Sequence, residues 1–297
     1  MRHGFNFGFN YNRFRGGGFE GMLDAFPNGS FAASVRKLRQ NYTGASTEVR
    51  IPSNAQSNIG FADNELNEPS LVSFADGGDA FNVVFKDQTG NGRDFSRSTA
   101  SEQPKIVSNG SVILANGKPT FSYDGTNDHL RRPAANFCTP TNKLQVSVVV
   151  KNNNSNVDNS QYIIGQYESN DERSWAVILA NNEIGVNFGD SNGRFSAAIR
   201  SDNSISFENT KVFGFTYDSG VVVFYINGIQ VASSIVSGTN PTTLFDSSAD
   251  VTIGSVLSNN VAVALWNGQI SEIYLADNLN DDIVDIQQNQ MAYFNIS

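Results

Sequence analysis

Three polar runs that carry Asp or Glu and a scatter of large aromatic side chains are the residues of this 297-residue sequence whose types and spacing could do chemistry. The first run is Asp87-Gln88-Thr89-Gly90-Asn91-Gly92 and the second is Asp124-Gly125-Thr126-Asn127-Asp128. In either loop, carboxylate and carbonyl oxygens could hold Ca2+, with Asp87, Asp124 and Asp128 as the acidic ligands. The competing reading is a tight turn in which Asp accepts backbone N–H groups and glycine takes the left-handed conformation. Neither loop has the alternating acids of an EF-hand, and the turn reading weighs more. The third run, Glu168-Ser169-Asn170-Asp171-Glu172, is the densest in carboxyl groups. Paired carboxyls are what glycoside hydrolysis requires, but a solvated loop between strands weighs more here. Trp175, Tyr167 and Trp266, with Tyr162, Tyr217 and Tyr225, could stack on sugar faces, against a reading as core.

Other chemistries are poorly supplied. One cysteine, Cys138, makes no intrachain disulfide, and with only His3 and His129 it cannot complete a Cys/His zinc site. No Ser/His/Asp set is credible, His129 follows a turn, and Gly16–Gly18 is not a phosphate-binding loop. A net charge of −9 lacks the basic footprint of a nucleic-acid binder. No run approaches the roughly 18–20 apolar residues of a membrane helix. The first residues show no apolar segment of the secretory kind, so export by such a signal is not expected.

The elements that must position these groups are strands. Only 16% of residues are charged, the chain is rich in Asn and Gly, and there are 22 Phe and 9 Tyr. That composition predicts an all-β protein with many turns. From residue 144 onward, short apolar runs recur between turn clusters: 144–150, 161–167, 174–180, 183–189, 194–199, 211–217, 221–226, 229–234, 250–255 and 269–276. Many short strands at this spacing predict a β-sandwich or barrel. Asn227-Gly228 between two strands predicts a type I′ hairpin. Phe213, Phe215 and Tyr217 alternate and should share one buried face, opposite Val222 and Phe224 of the next strand. Residues 30–42 carry Phe31, Val35, Leu38 and Tyr42 at helical spacing and predict a short early helix capped by Ser30. Pro69 predicts a helical turn over 70–75. The run 280–294 predicts a C-terminal helix with Asn280 as its cap and Asp281 and Asp282 at its positive end.

Residues 1–27 differ from the rest. Phe5, Phe7, Phe9, Tyr11, Phe14 and Phe19 are interleaved with Gly, Asn, Arg13 and Arg15, and Gly16–Gly18 forms a flexible break. A disordered tail fits this composition. An extended assembly arm fits it too, since aromatic and Arg side chains suit an interface core. The domain reading is therefore an arm over 1–27 and one sandwich over 28–297.

Three ordered stretches, SVRKLRQNYTGASTEVR (34–50), FKDQTGNGRDF (85–95) and GKPTFSYDGTNDHL (117–130), resemble the N-terminal half of the arabinofuranosidase-type jelly-roll domain found in bacteriophage structural proteins. The later half, with VVVFYINGIQVAS (221–233) and the run from Trp266 to Phe294, resembles the laminin-G/concanavalin-like jelly roll. The resemblance implies a jelly-roll β-sandwich over about residues 30–297. It also implies a non-enzymatic bacteriophage virion subunit: a head decoration, a head fibre or a tail-associated protein. Such a subunit would be assembled in the host cytoplasm, anchored to other virion proteins through residues 1–27 and homo-oligomeric. It could present a jelly roll to a host-surface glycan. The alternatives are an arabinofuranosidase-like hydrolase and a free glycan-binding module. No catalytic residue of the hydrolase family can be placed on this sequence, and the fold by itself decides none of the three.

Overall fold

The computed structural model describes residues 20–135, 137, 142–154 and 159–297. Phe5, Phe7, Phe9, Tyr11, Arg13, Phe14, Arg15 and Cys138 lie outside the described residues.

Two antiparallel layers pack face to face, as a jelly-roll sandwich requires. In the back layer, strand Asn267–Ala276 is central. One of its edges pairs with Phe31–Ser34 and Phe121–Asp124 end to end. The other pairs with Lys143–Asn152, which continues through Lys211–Asp218 and Val221–Ile226 to Ile229–Val231. The front layer runs in the order Leu130–Arg132, Val251–Ile253, Gln161–Glu168, Glu172–Ala180, Glu183–Gly189, Phe195–Ser201, Ser233–Gly238. The Ala80–Phe85 strand bonds to Thr47–Arg50, Phe95–Ser96 and Lys105–Ser108 and laces the layers together along one side.

The layers meet through alternate side chains. Phe213, Phe215, Tyr217 and Phe224 are buried together, with Val222 packed beside them. The Phe188 ring of the front layer lies 5.2 Å from Tyr217 and 6.3 Å from Phe215. Most of the predicted strands are present within a residue or two of their expected ends. Asn227 and Gly228 both have positive φ, 50° and 73°, as the type I′ hairpin demands.

Helices cover the outer face of the back layer. Ile283–Tyr293 lies across the strands Lys143–Asn152 and Lys211–Asp218. A Cβ at Gly214 would sit 2.5 Å from Gln287 Nε2 and 3.0 Å from Ile283 Cδ1, so the helix approaches to the distance that a glycine allows. The helical turn Met22–Ala25 adds Met22 and Leu23 to a second apolar cluster with Ala32, Tyr274 and Ile286. Residues 21–25 thus already rest on the sandwich.

Two expectations need correction. Residues 31–34 form a strand, not the start of a helix over 30–42. The strand is buried on both faces: Phe31 and Ala33 point into the sandwich, while Ala32 points outward under Leu23 and Tyr274. Two-sided burial erases the polar alternation that marks a strand. The early helix is instead Glu68–Ala75, with Pro69 in its first turn and the Asn67 side chain accepting from Ser70 N. The C-terminal helix is capped by Asp282, whose carboxylate accepts from Val284 N and Asp285 N, and not by Asn280.

Candidate functional site

The two Asp loops are turns organised by their own carboxylates. Asp87 accepts from the backbone N–H groups of Ala32, Thr89 and Arg93 and from the Thr89 hydroxyl, and so ties its loop to strand Phe31–Ser34. Asp124 Oδ1 accepts from the backbone N–H groups of Thr126, Asn127 and Asp128. Asp128 returns a bond, its Oδ2 accepting from Asp124 N at 3.0 Å. Burial, with the Asp124 charge beside it, pushes the Asp128 carboxyl up to about 7. Among the described residues no three His, Cys, Asp or Glu side chains converge on a point where a metal ion would sit. His129, 2% exposed, bonds to Asn127 O and accepts from Arg131 Nε, a structural position.

The large aromatics divide. Trp175 and Trp266 are fully buried, so neither offers a stacking face. Trp175 shares the inward parity of Val177 and Leu179 and belongs to the core. Tyr217 is likewise internal. Tyr167 and Tyr162 lie on the opposite, outward side of the front layer.

That outward side carries a hydrogen-bonded polar array. Register sets it out in cross-strand rows. One row is Tyr162, Ile178, Gly185, Arg200; the next is Gly165, Ala176, Asn187, Ala198. The small residues Gly165, Ala176, Gly185 and Ala198 form a low floor. Tyr162 and Tyr167 stack at 6.2 Å with 28° between their planes, against a wall made by Val256, Val263 and Ala264. Arg173 lies opposite Tyr167, its guanidinium 5.7 Å from the ring centre. Arg200 runs flat across the floor: a Cβ at Gly185 would lie 2.8 Å from its Cδ. A hydrogen-bonded chain spans the array. Asn187 Nδ2 donates to Tyr162 Oη at 2.9 Å, and Arg200 Nη2 donates to Asn187 Oδ1 at 2.8 Å. Tyr162, Tyr167, Asn187 and Arg200 are each only 8 or 9% exposed, so packing and hydrogen bonds hold the array in place. Burial raises both phenols, Tyr167 to about 12, and the Arg200 and Arg173 charges pull each back toward its ordinary value.

The acidic cluster lies at the end of this layer and bonds to the neighbouring loops. Glu168 and Glu172 face each other across adjacent strands, but they bind different loops. Glu168 Oε1 accepts from Asn260 N, while Glu172 Oε2 accepts from Ser248 N and the Ser247 hydroxyl. Asp171 stays at the turn, 3.6 Å from Arg173. Sequence reasoning pointed to Tyr162 and Tyr167 but missed Arg173, Asn187 and Arg200. The signal was available, since Asn187 and Arg200 are polar residues at outward positions of otherwise apolar strands.

Comparison with known proteins agrees with this architecture. The sequence pattern of the concanavalin A-like lectin/glucanases superfamily, in a laminin-G form, matches residues 124–279. No curated protein sequence matches. Among solved structures, a GH54 α-L-arabinofuranosidase soaked with a cyclic sulfate inhibitor superposes with a TM-score of 0.65 at 14% identity. An arabinofuranosidase complexed with arabinofuranosyl-α-1,2-xylobiose superposes at 0.61 with 14% identity. Each comparison covers 89% of this chain and 62% of the other. The binding domain of Paraclostridial Mosquitocidal Protein 1 superposes at 0.51 with 12% identity, over 71% of this chain and 50% of that one. At these identities the likeness is one of fold, and the chain spans under two thirds of the hydrolases it matches.

Proposed function

The chain belongs to the concanavalin A-like lectin/glucanases superfamily, and from that premise we propose that it is a non-enzymatic glycan-binding jelly roll whose contact surface is the outer face of the front layer. The observation that carries this reading is the prebuilt array of Tyr162, Tyr167, Arg173, Asn187 and Arg200 over a floor of small residues. Aromatic edges with fixed amide and guanidinium donors are the groups that recognise a ring bearing hydroxyls. The test is a glycan array probed with the full chain and with Tyr167→Ala and Asn187→Ala. Retention on a saccharide that both variants lose supports the reading; unchanged retention by both overturns the site. Against a hydrolase stands the engagement of Glu168 and Glu172 by backbone N–H groups of separate loops. Release of arabinose from an aryl arabinofuranoside, abolished by Glu168→Gln or Glu172→Gln, would restore the enzyme reading. No metal is part of the proposal. Both carboxylate oxygens of Asp87 already accept hydrogen bonds within its own loop.

How the module is delivered is a separate part of the proposal. Its support is the Phe- and Arg-rich composition of residues 1–27 and the resemblance to bacteriophage structural domains. On this reading several copies attach through that segment to other proteins of a virion head or tail. Met22 and Leu23 are buried against Tyr274, so a deletion must stop short of them. Removing residues 1–18 should leave the melting temperature near that of the full chain and abolish incorporation into particles. Normal copy number after the deletion would overturn it.

A further inference from the structure

We infer that the saccharide recognised by the outer face of the front layer is an acidic one, a sugar carrying a carboxylate or sulfate, and that Arg200 is the residue that selects it. The inference rests on the proposed binding face and names the class of its ligand.

Arg200 is 8% exposed and stays charged. Its hydrogen bonds go to neutral oxygens: Ile199 O at 2.8 Å, Val186 O at 3.4 Å and Asn187 Oδ1 at 2.8 Å. None of the ion pairs among the described residues includes it. Burial lowers its proton affinity, and Tyr162, Glu183 and Tyr167 offset this in part. A buried cation without a counter-ion is costly, and a partner of opposite charge relieves it. Arg173, at the other end of the array, is held by Ser169 O at 2.6 Å and by Asp171 at 3.6 Å, an acid that is itself well exposed. Both guanidinium charges are felt at the Tyr162 and Tyr167 hydroxyls. Tyr162 Oη already accepts from Asn187, which leaves its own proton to donate. A planar carboxylate could take that O–H and a guanidinium N–H together, the geometry in which Arg exceeds Lys.

The experiment uses the full chain and matched probes: an oligogalacturonate and sialyllactose as acidic saccharides, a sulfated oligosaccharide, and the neutral parents galactan oligosaccharide and lactose. Titration calorimetry at low and high salt should show binding of at least one acidic probe, at least tenfold weaker binding of its neutral parent, and weakening with salt. Arg200→Gln should remove the preference for the acidic probe, and Arg200→Lys should recover part of it. Arg173→Gln, at a more exposed position than Arg200, serves where Arg200→Gln fails to fold. Equal binding of acidic and neutral members, lost in Tyr167→Ala, would overturn the acidic assignment and leave the glycan face standing. Absence of binding to every probe at millimolar concentration would overturn both.

Discussion

The guanidinium of Arg36 meets the carboxylate of Glu272 at two points, Nε to Oε2 at 2.7 Å and Nη2 to Oε1 at 2.8 Å, across 236 residues of chain. Both side chains are buried, Ser34 Oγ donates to the same Oε2 at 2.6 Å, and the Tyr293 ring lies 4.6 Å from the guanidinium. The pair thus fastens the segment after strand Phe31–Ser34 to the central strand, beneath the C-terminal helix. Removing one partner leaves a buried charge uncompensated. Arg36→Ala should therefore destabilise by about 3–5 kcal/mol, and Arg36→Met with Glu272→Met together by much less. Urea denaturation of the three proteins measures the difference, and equal losses in single and double variants would contradict it.

The hairpin at Asn227 makes a second prediction. Asn227 has φ 50°, and its Oδ1 accepts from Val212 N at 3.0 Å. Asn227→Ala loses both the tolerance for that conformation and the bond. A loss of roughly 1 kcal/mol or more is expected. A melt indistinguishable from the unaltered protein would refute it.

Phe215 is fully buried and touches the ring of Phe188 across the sandwich. Phe215→Ala should cost about 3–5 kcal/mol, through lost transfer energy and the cavity left behind. Equilibrium unfolding reads it directly.

Asp128 should leave a signature in pH. Its carboxyl titrates at about 7 in the folded protein, above the ordinary carboxylate value of 3.8. Between those values the folded state holds a proton that the unfolded state releases. This group's contribution to stability is therefore full below pH 4 and is lost as pH rises to about 7, with a slope of up to about 1.4 kcal/mol per pH unit. Asp128→Asn keeps an oxygen for Asp124 N and cannot ionise. The variant should be the more stable one at pH 8 and about equal to the parent at pH 4. A constant difference across the range would show that the titration lies elsewhere.

Much of the sandwich could be read from sequence because one face of most strands is dry and the other is not. Phe213, Phe215 and Tyr217 announced their face in this way. Phe31–Ser34 did not, since its outward residues are covered by Leu23 and Tyr274, brought there from both ends of the chain. The candidate site was half legible for a similar reason. Aromatic size suggested Trp175 and Trp266, but parity decides exposure, and both turn inward. Tyr162 and Tyr167 are five residues apart, which in a regular strand puts them on opposite faces. The extra residue Ile163, where the pairing slips between Tyr162 and Ile164, brings both outward. A bulge of this kind leaves no mark in composition or alternation.

The position of strand Asn267–Ala276 also governs the order of events during folding. Its neighbours on one side, Phe31–Ser34 and Phe121–Asp124, and on the other, Lys143–Asn152, all precede it by more than a hundred residues. Until it arrives, those three strands have a vacant edge between them, and the Ser34 and Arg36 side chains have no carboxylate to meet. Closing such long loops before any contact rewards them makes the back layer slow to form. The front-layer hairpins from Gln161 to Ser201, which pair with near neighbours, can assemble first. Refolding should therefore begin in the layer that carries the polar array and end with the insertion of one strand.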